Sequence, residues 1–163
     1  MKKILFLAVI LLIALASCRR YQAFPPALVT YFPYTENQRL VYANDKGDTT
    51  CLTVKQMSVS DEHTESYCSK CGWNIAMEFK ANNDSMYFNG YMTVSYSPYL
   101  ILDAGGTYYY YDIPSDPFSE QIVSEIGDTI WLSKDGNEAI VVRYEGLVEF
   151  DDIQHNCTWT LVK

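Results

Sequence analysis

Five cysteines, two histidines and fourteen tyrosines carry most of the chemistry open to this 163-residue chain. Cys68 and Cys71 stand in the stretch YCSKC, at the spacing of a dithiol redox pair or of half a zinc site. A redox pair needs a helix N-terminus, whose dipole lowers the thiol pKa. Here Gly72 and an alternating, strand-like run from Trp73 follow, with no βαβ unit around them. A zinc site of four cysteines, or one recruiting His63 or His155, wants a second close pair, and Cys51 and Cys157 each stand alone in a strand pattern. His63 in a polar stretch and His155 in the turn IQHN read as solvated loop histidines, and neither GxSxG nor HExxH occurs. The carboxylate pairs Asp61-Glu62 and Asp151-Asp152 do not converge, because adjacent strand residues point to opposite faces. NDKGD lacks the ligand spacing of a calcium loop. The residues therefore assign no catalytic group, no metal and no cofactor.

The elements that must position these residues are mostly of period 2. RLVYA, the turn NDKGDT and TTCLTVKQM read as a first hairpin, with Gly47 supplying the positive φ of a tight turn. WNIAMEFK alternates, placing Trp73, Ile75, Met77 and Phe79 on one face, and MYFNGYMTVSY follows, with a bend or bulge expected near Gly90. YLIL and TYYYYDI flank the turn DAGG, and TIWLS, EAIVVRY, GLVEFDD and CTWTLVK complete the chain. About ten short strands with turn signals between them predict an all-β fold, a single-domain antiparallel sandwich or barrel. The segment near 116–126 reads as a short helix, with Asp116 as N-cap, Pro117 at the first helical position, Phe118, Ile122 and Ile126 on one face and Gly127 as stop, or as a loop leading into the next strand.

The N-terminus has its own pattern. Lys2 and Lys3, an apolar run from Ile4 to Leu15 and the small residues Ala16 and Ser17 make residues 1–17 a secretory signal. The run is shorter than the roughly 20 residues that span a bilayer. Leu15-Ala16-Ser17-Cys18 resembles the lipobox of bacterial lipoproteins, whose cysteine becomes the acylated first residue; several acyl chains hold a membrane far better than one. In such lipoproteins an aspartate after the cysteine favours the inner membrane, and an acidic cluster favours surface export in the Bacteroidetes. Arg19-Arg20-Tyr21-Gln22-Ala23 has neither, so the resemblance implies the outer membrane, on its periplasmic side or exposed at the surface. Residues 18–35, with three prolines and no period, read as a tether that ends by docking on a β domain at 36–163.

Removing residues 1–17 takes away two lysines and no acid, so the charge becomes 10 − 20 = −10 over 163 − 17 = 146 residues. So acidic a chain is a poor ligand for nucleic acid. With Cys18 assigned to lipid, four cysteines remain, and an even number in an exported domain reads as disulfides. If TTCLTVKQM and EHTESYC form a hairpin centred near Val59 and Ser60, Cys51 faces Cys68, leaving Cys71, in phase with Trp73, to join Cys157. The alternative is a Cys68–Cys71 bond across Ser69-Lys70, with Cys51 joined to Cys157.

In the run Tyr108, Tyr109, Tyr110, Tyr111 two side chains must face the core and two the other side, with Tyr87, Tyr91, Tyr96 and Tyr99 in neighbouring strands. The outward set makes a candidate aromatic binding face for a glycan, peptide or protein ligand; the inward set fills the core. Asp48-Thr49-Thr50, Asp84-Ser85-Met86 and Asp128-Thr129-Ile130 resemble the O-glycosylation triplet of the Bacteroidetes, and each also marks a turn entering a strand.

YFPYTENQRLVY, GDTT and GLVEFDDIQHNCTWTLV together resemble small, uncharacterised outer-membrane lipoproteins of the Bacteroidetes. The resemblance implies location and fold and carries no activity. The expectation is a lipid-anchored, non-catalytic binding or accessory lipoprotein; the alternatives are an inhibitor acting through a loop such as 59–70 or 112–121, or a thiol redox enzyme or hydrolase.

Overall fold

The computed structural model describes residues 24–62, 74–94, 98–114, 116, 118–119 and 121–162. Ten strands follow one another as β1 (Arg39–Asn44), β2 (Thr49–Glu62), β3 (Asn74–Asn82), β4 (Tyr87–Val94), β5 (Tyr99–Ala104), β6 (Thr107–Asp112), β7 (Thr129–Lys134), β8 (Asn137–Val142), β9 (Gly146–Asp152) and β10 (Cys157–Leu161). They form one antiparallel sheet in the order β6-β5-β4-β3-β2-β1-β10-β9-β8-β7. Every sequential pair is a hairpin except β6 and β7, and the remaining junction joins the first strand to the last through Tyr42 opposite Leu161. The sheet curls into a nearly closed, up-and-down barrel. Its two edges are β6 and β7; from the edge strand β6 the Tyr109 hydroxyl donates to the Glu138 carbonyl on β8, the strand next to β7, at 3.1 Å.

Alternation decides which side chains enter the lumen. Leu40 and Tyr42, Leu52 and Val54, Met77 and Phe79, Leu100 and Leu102, Ile130 and Leu132, and Phe150 and Trp159 are all buried. Two register shifts adjust the pattern, one at Lys55 in β2 and one between Ile140 and Val141 opposite β9. The expected bulge at Gly90 is absent: β3 and β4 stay in register through Phe79 opposite Gly90. Glycine is needed there for space, since a Cβ would lie 1.6 Å from Phe79 Cζ. The ring lies where another side chain would otherwise stand.

Of the expected tether over residues 18–35, the described part from Phe24 docks on the domain more deeply than a tether's end would. From Phe24 onward the segment enters the barrel, turning once through α1 (Pro26–Val29) and burying Phe24, Leu28, Tyr31, Phe32 and Tyr34. Its prolines shape a plug, because burying five large apolar residues repays the order imposed on an aperiodic stretch. Phe32 stacks on Phe79 at 4.4 Å, and Tyr34 packs on Phe79 at 5.3 Å. Tyr34 Oη accepts the Leu147 N–H at 2.7 Å, and the Tyr42 hydroxyl donates to the Leu147 carbonyl at 2.7 Å. Leu147 lies next to the β8–β9 shift and beyond the paired part of β10, so these two phenols satisfy a peptide that the ladder leaves over.

The helix between β6 and β7 is shorter than expected. α2 spans Ile122–Ile126 and stops at Gly127 (φ 82°), as the sequence indicates. Its start is five residues later than Pro117, because the Asp116 carboxylate accepts the Phe118 N–H (2.9 Å) in a local turn and does not cap a helix.

Candidate functional site

The outer face of β4, β5 and β6 gathers tyrosines by register. Tyr91 on β4 and Tyr110 on β6 flank Ile101 on β5, while Thr93 and Asp112 flank Tyr99 one pleat away. The diagonal contacts that result put Tyr99 between the other two rings, 6.2 Å from Tyr91 and 5.4 Å from Tyr110, the second pair stacked. In the opposite direction Asn89 and Tyr108 flank Asp103, and Tyr87 ends the row. Tyr108, Tyr110 and Tyr87 are 63%, 55% and 46% exposed. Trp131 on β7 is 65% exposed. Exposed aromatic surface of this extent marks a contact site more often than chance.

Of the candidates Tyr108, Tyr109, Tyr110 and Tyr111, the outward set is Tyr108 and Tyr110. Tyr109 is buried and bonded to β8, and Tyr111 packs against the core. The pleat sends alternate residues inward, so Tyr109 and Tyr111 belong to the barrel wall. The partners that complete the face, Tyr91 and Tyr99, follow from strand register and not from the run itself.

The polar groups of this face are few. Lys80 pairs with Glu78 at 3.0 Å. Asp103 is only 8% exposed although it points outward; the Tyr108 hydroxyl bonds to it, and its Oδ1 has no partner. Burial raises the Asp103 carboxyl above the usual range, and the Tyr108 bond opposes that rise.

A second cluster sits at the turn end of the barrel. The inward carboxylate of Asp152 accepts Trp159 Nε1 (3.1 Å) and the His155 N–H (3.1 Å), and lies 2.7 Å from His155 Nδ1. Asp151 faces the other way, taking the Thr158 hydroxyl at 2.7 Å and the Glu138 N–H at 2.8 Å. The two carboxylates diverge as strand geometry requires. A cleft of about 460 Å³ beside them is lined by Asp45, Asn137, Asn156 and Cys157. His155 and Cys157 do not form a nucleophile pair: the buried thiol receives Asn44 Nδ2 at 3.7 Å, and burial pushes its pKa up, away from thiolate. Asp152 and His155 thus clamp the β9–β10 turn. Among the described residues no three His, Cys, Asp or Glu side chains gather around a metal position.

Cys51 and Cys157 carry free thiols. A Cys51–Cys157 bond is excluded by parity: Cys51 lies opposite outward Val41, whereas Cys157 points inward beside Trp159. The hairpin at Val59 and Ser60 that would bring Cys68 to Cys51 does not form. β2 runs on to Glu62, and Val59 lies opposite Met77 of β3. Cys18, Cys68, Cys71 and His63 lie outside the described residues, as do residues 1–17.

Comparison with protein-family models, curated proteins and solved structures finds no match to this chain.

Proposed function

We propose that the protein is a lipid-anchored, non-catalytic binding lipoprotein of the outer membrane, held through acylated Cys18, which captures its ligand on the tyrosine face of β4–β6. The observation that carries this reading is the placement of Tyr87, Tyr91, Tyr99, Tyr108 and Tyr110 on the outer side of three adjacent strands. Tyrosine offers large, stiff, amphipathic contact area at small entropic cost. The lumen offers less, because the N-terminal plug fills it with aromatic side chains.

The anchor follows from the apolar leader and the box ending at Cys18. With the described domain beginning at Phe24, residues 18–23 separate the lipid from the barrel, at most about 20 Å when extended. The ligand would then be met close to the membrane surface.

An array of envelope oligosaccharides and peptides, probed with the full chain in detergent, tests the reading. Retention on one class of probe that is lost in a Tyr108→Ala/Tyr110→Ala variant supports it; equal retention by both proteins contradicts it. The inhibitor reading draws on one observation: β2 overhangs β1 beyond Thr53, and Val59, though on the lumen side of its strand, is 57% exposed.

A further inference from the structure

We propose that the ligand of the tyrosine face is a neutral carbohydrate chain, one of whose sugars is anchored by its hydroxyls on the carboxylate of Asp103. The inference rests on the reading of that face as a ligand surface and adds the chemical class and the anchoring residue. Asp103 occupies a solvent-side position of β5, yet only 8% of it is exposed and Oδ1 is without a partner. A buried acceptor left unmade costs stability, so a carboxylate in this state needs an explanation other than packing. Tyr108 and Asn89 stand directly beside it, and Tyr87 is close enough to Tyr108 to interact electrostatically.

The face lacks what an anionic ligand would need. Among its described residues the one cation, Lys80, is paired with Glu78, and Asp103 and Asp112 add negative charge. A ligand must instead bring O–H or N–H donors for the carboxylate and flat apolar surface for the rings. A lysine-bearing peptide brings donors on one flexible stem. A sugar chain brings a hydroxylated edge and an apolar face in every residue, and β4 to β6 span two interstrand spacings, about 10 Å, along which successive rings can lie. Hydroxyl bonds to an ionised carboxylate are short and strong, so the anchor would set both affinity and orientation. Tyr108, the most exposed tyrosine of the face, bonds to the same carboxylate, and a sugar hydroxyl would compete with that bond.

The test is an array of neutral, sialylated and sulfated oligosaccharides together with lysine-rich peptides, probed with the full chain in detergent. The expected result is retention on neutral oligosaccharides, weakened at least tenfold by Asp103→Asn and by Tyr110→Ala. Retention that Asp103→Asn leaves unchanged overturns the anchor, and if Tyr110→Ala still abolishes it the face survives as a binding surface. Retention on peptides or charged glycans alone overturns the neutral class and leaves the face standing. No difference between wild type and Tyr110→Ala on any probe overturns both. Should Asp103→Asn fail to fold, Asn89→Ala reads the same subsite from β4, and unchanged retention by it counts against the anchor.

Discussion

Gly90 and Asp103 show how single positions divide between packing and function. At Gly90 the Phe79 ring occupies the space of a side chain, so Gly90→Ala forces the ring off its site. Overpacking of this kind costs about 1–3 kcal/mol, to be read as a lower denaturant midpoint with an unchanged slope. Asp103 behaves in the opposite way. Its folded pKa is raised by burial, so its stabilising contribution is complete below the ordinary carboxylate value of 3.8 and is lost as pH rises through the folded pKa. The groups around it are Tyr87, Tyr108 and Asn89, none of them a cation, so no partner charge reverses the sign. Asp103→Asn is therefore expected to melt higher than wild type at pH 7, the gap closing as the pH falls below 4. A lower melting temperature at pH 7 would show that the carboxylate supports the fold. Gain of stability with loss of binding is the signature of a residue kept for a ligand.

Elements differ in how openly the sequence declares them. Strands such as β1, β6 and β7 are legible because buried and exposed residues alternate along most of their length, and GLVEFDD coincides with β9 from end to end. The far half of β2 is not: polar Gln56, Ser58 and Ser60 alternate with Met57 and Val59, and the shift at Lys55 inverts the parity, so a turn there looks as good as a strand. The plug is hidden for another reason. Its aromatic residues have no period because they serve a lumen that ten other segments create. The same holds for the candidate site, where TYYYYD announces Tyr108 and Tyr110 but only register brings Tyr91 and Tyr99 to them. If the plug is part of the core, Phe32→Ala should cost about 3–5 kcal/mol and lower one cooperative transition for the whole domain. A separate early transition of the N-terminal segment, seen by hydrogen exchange, would make it an appendage instead.

For the whole molecule, closure depends on tyrosines that reach across the barrel. Tyr34 and Tyr42 grip Leu147, Tyr31 bonds to the Gly127 carbonyl, and Tyr109 joins the edge strand β6 to β8. Burial holds the phenols of Tyr34 and Tyr42 far above 10 and pushes Tyr109 up to about 12. Their contribution to stability is complete below pH 10 and is lost as the pH climbs through those raised values. Alkaline titration of phenolate absorbance should resolve Tyr34, Tyr42 and Tyr109 as a late set that ionises only as the barrel opens. A single smooth titration near 10 would mean that these phenols are not buried. Tyr108 and Tyr110, 63% and 55% exposed, point away from the lumen and lie on the proposed binding surface. The most direct measurement is the retention of the full chain on the oligosaccharide array, wild type against Tyr108→Ala/Tyr110→Ala, with circular dichroism of both. Retention on neutral glycans that the double variant loses while keeping the same spectrum is the predicted result; equal retention by the two folded proteins, or none by either, would contradict the account.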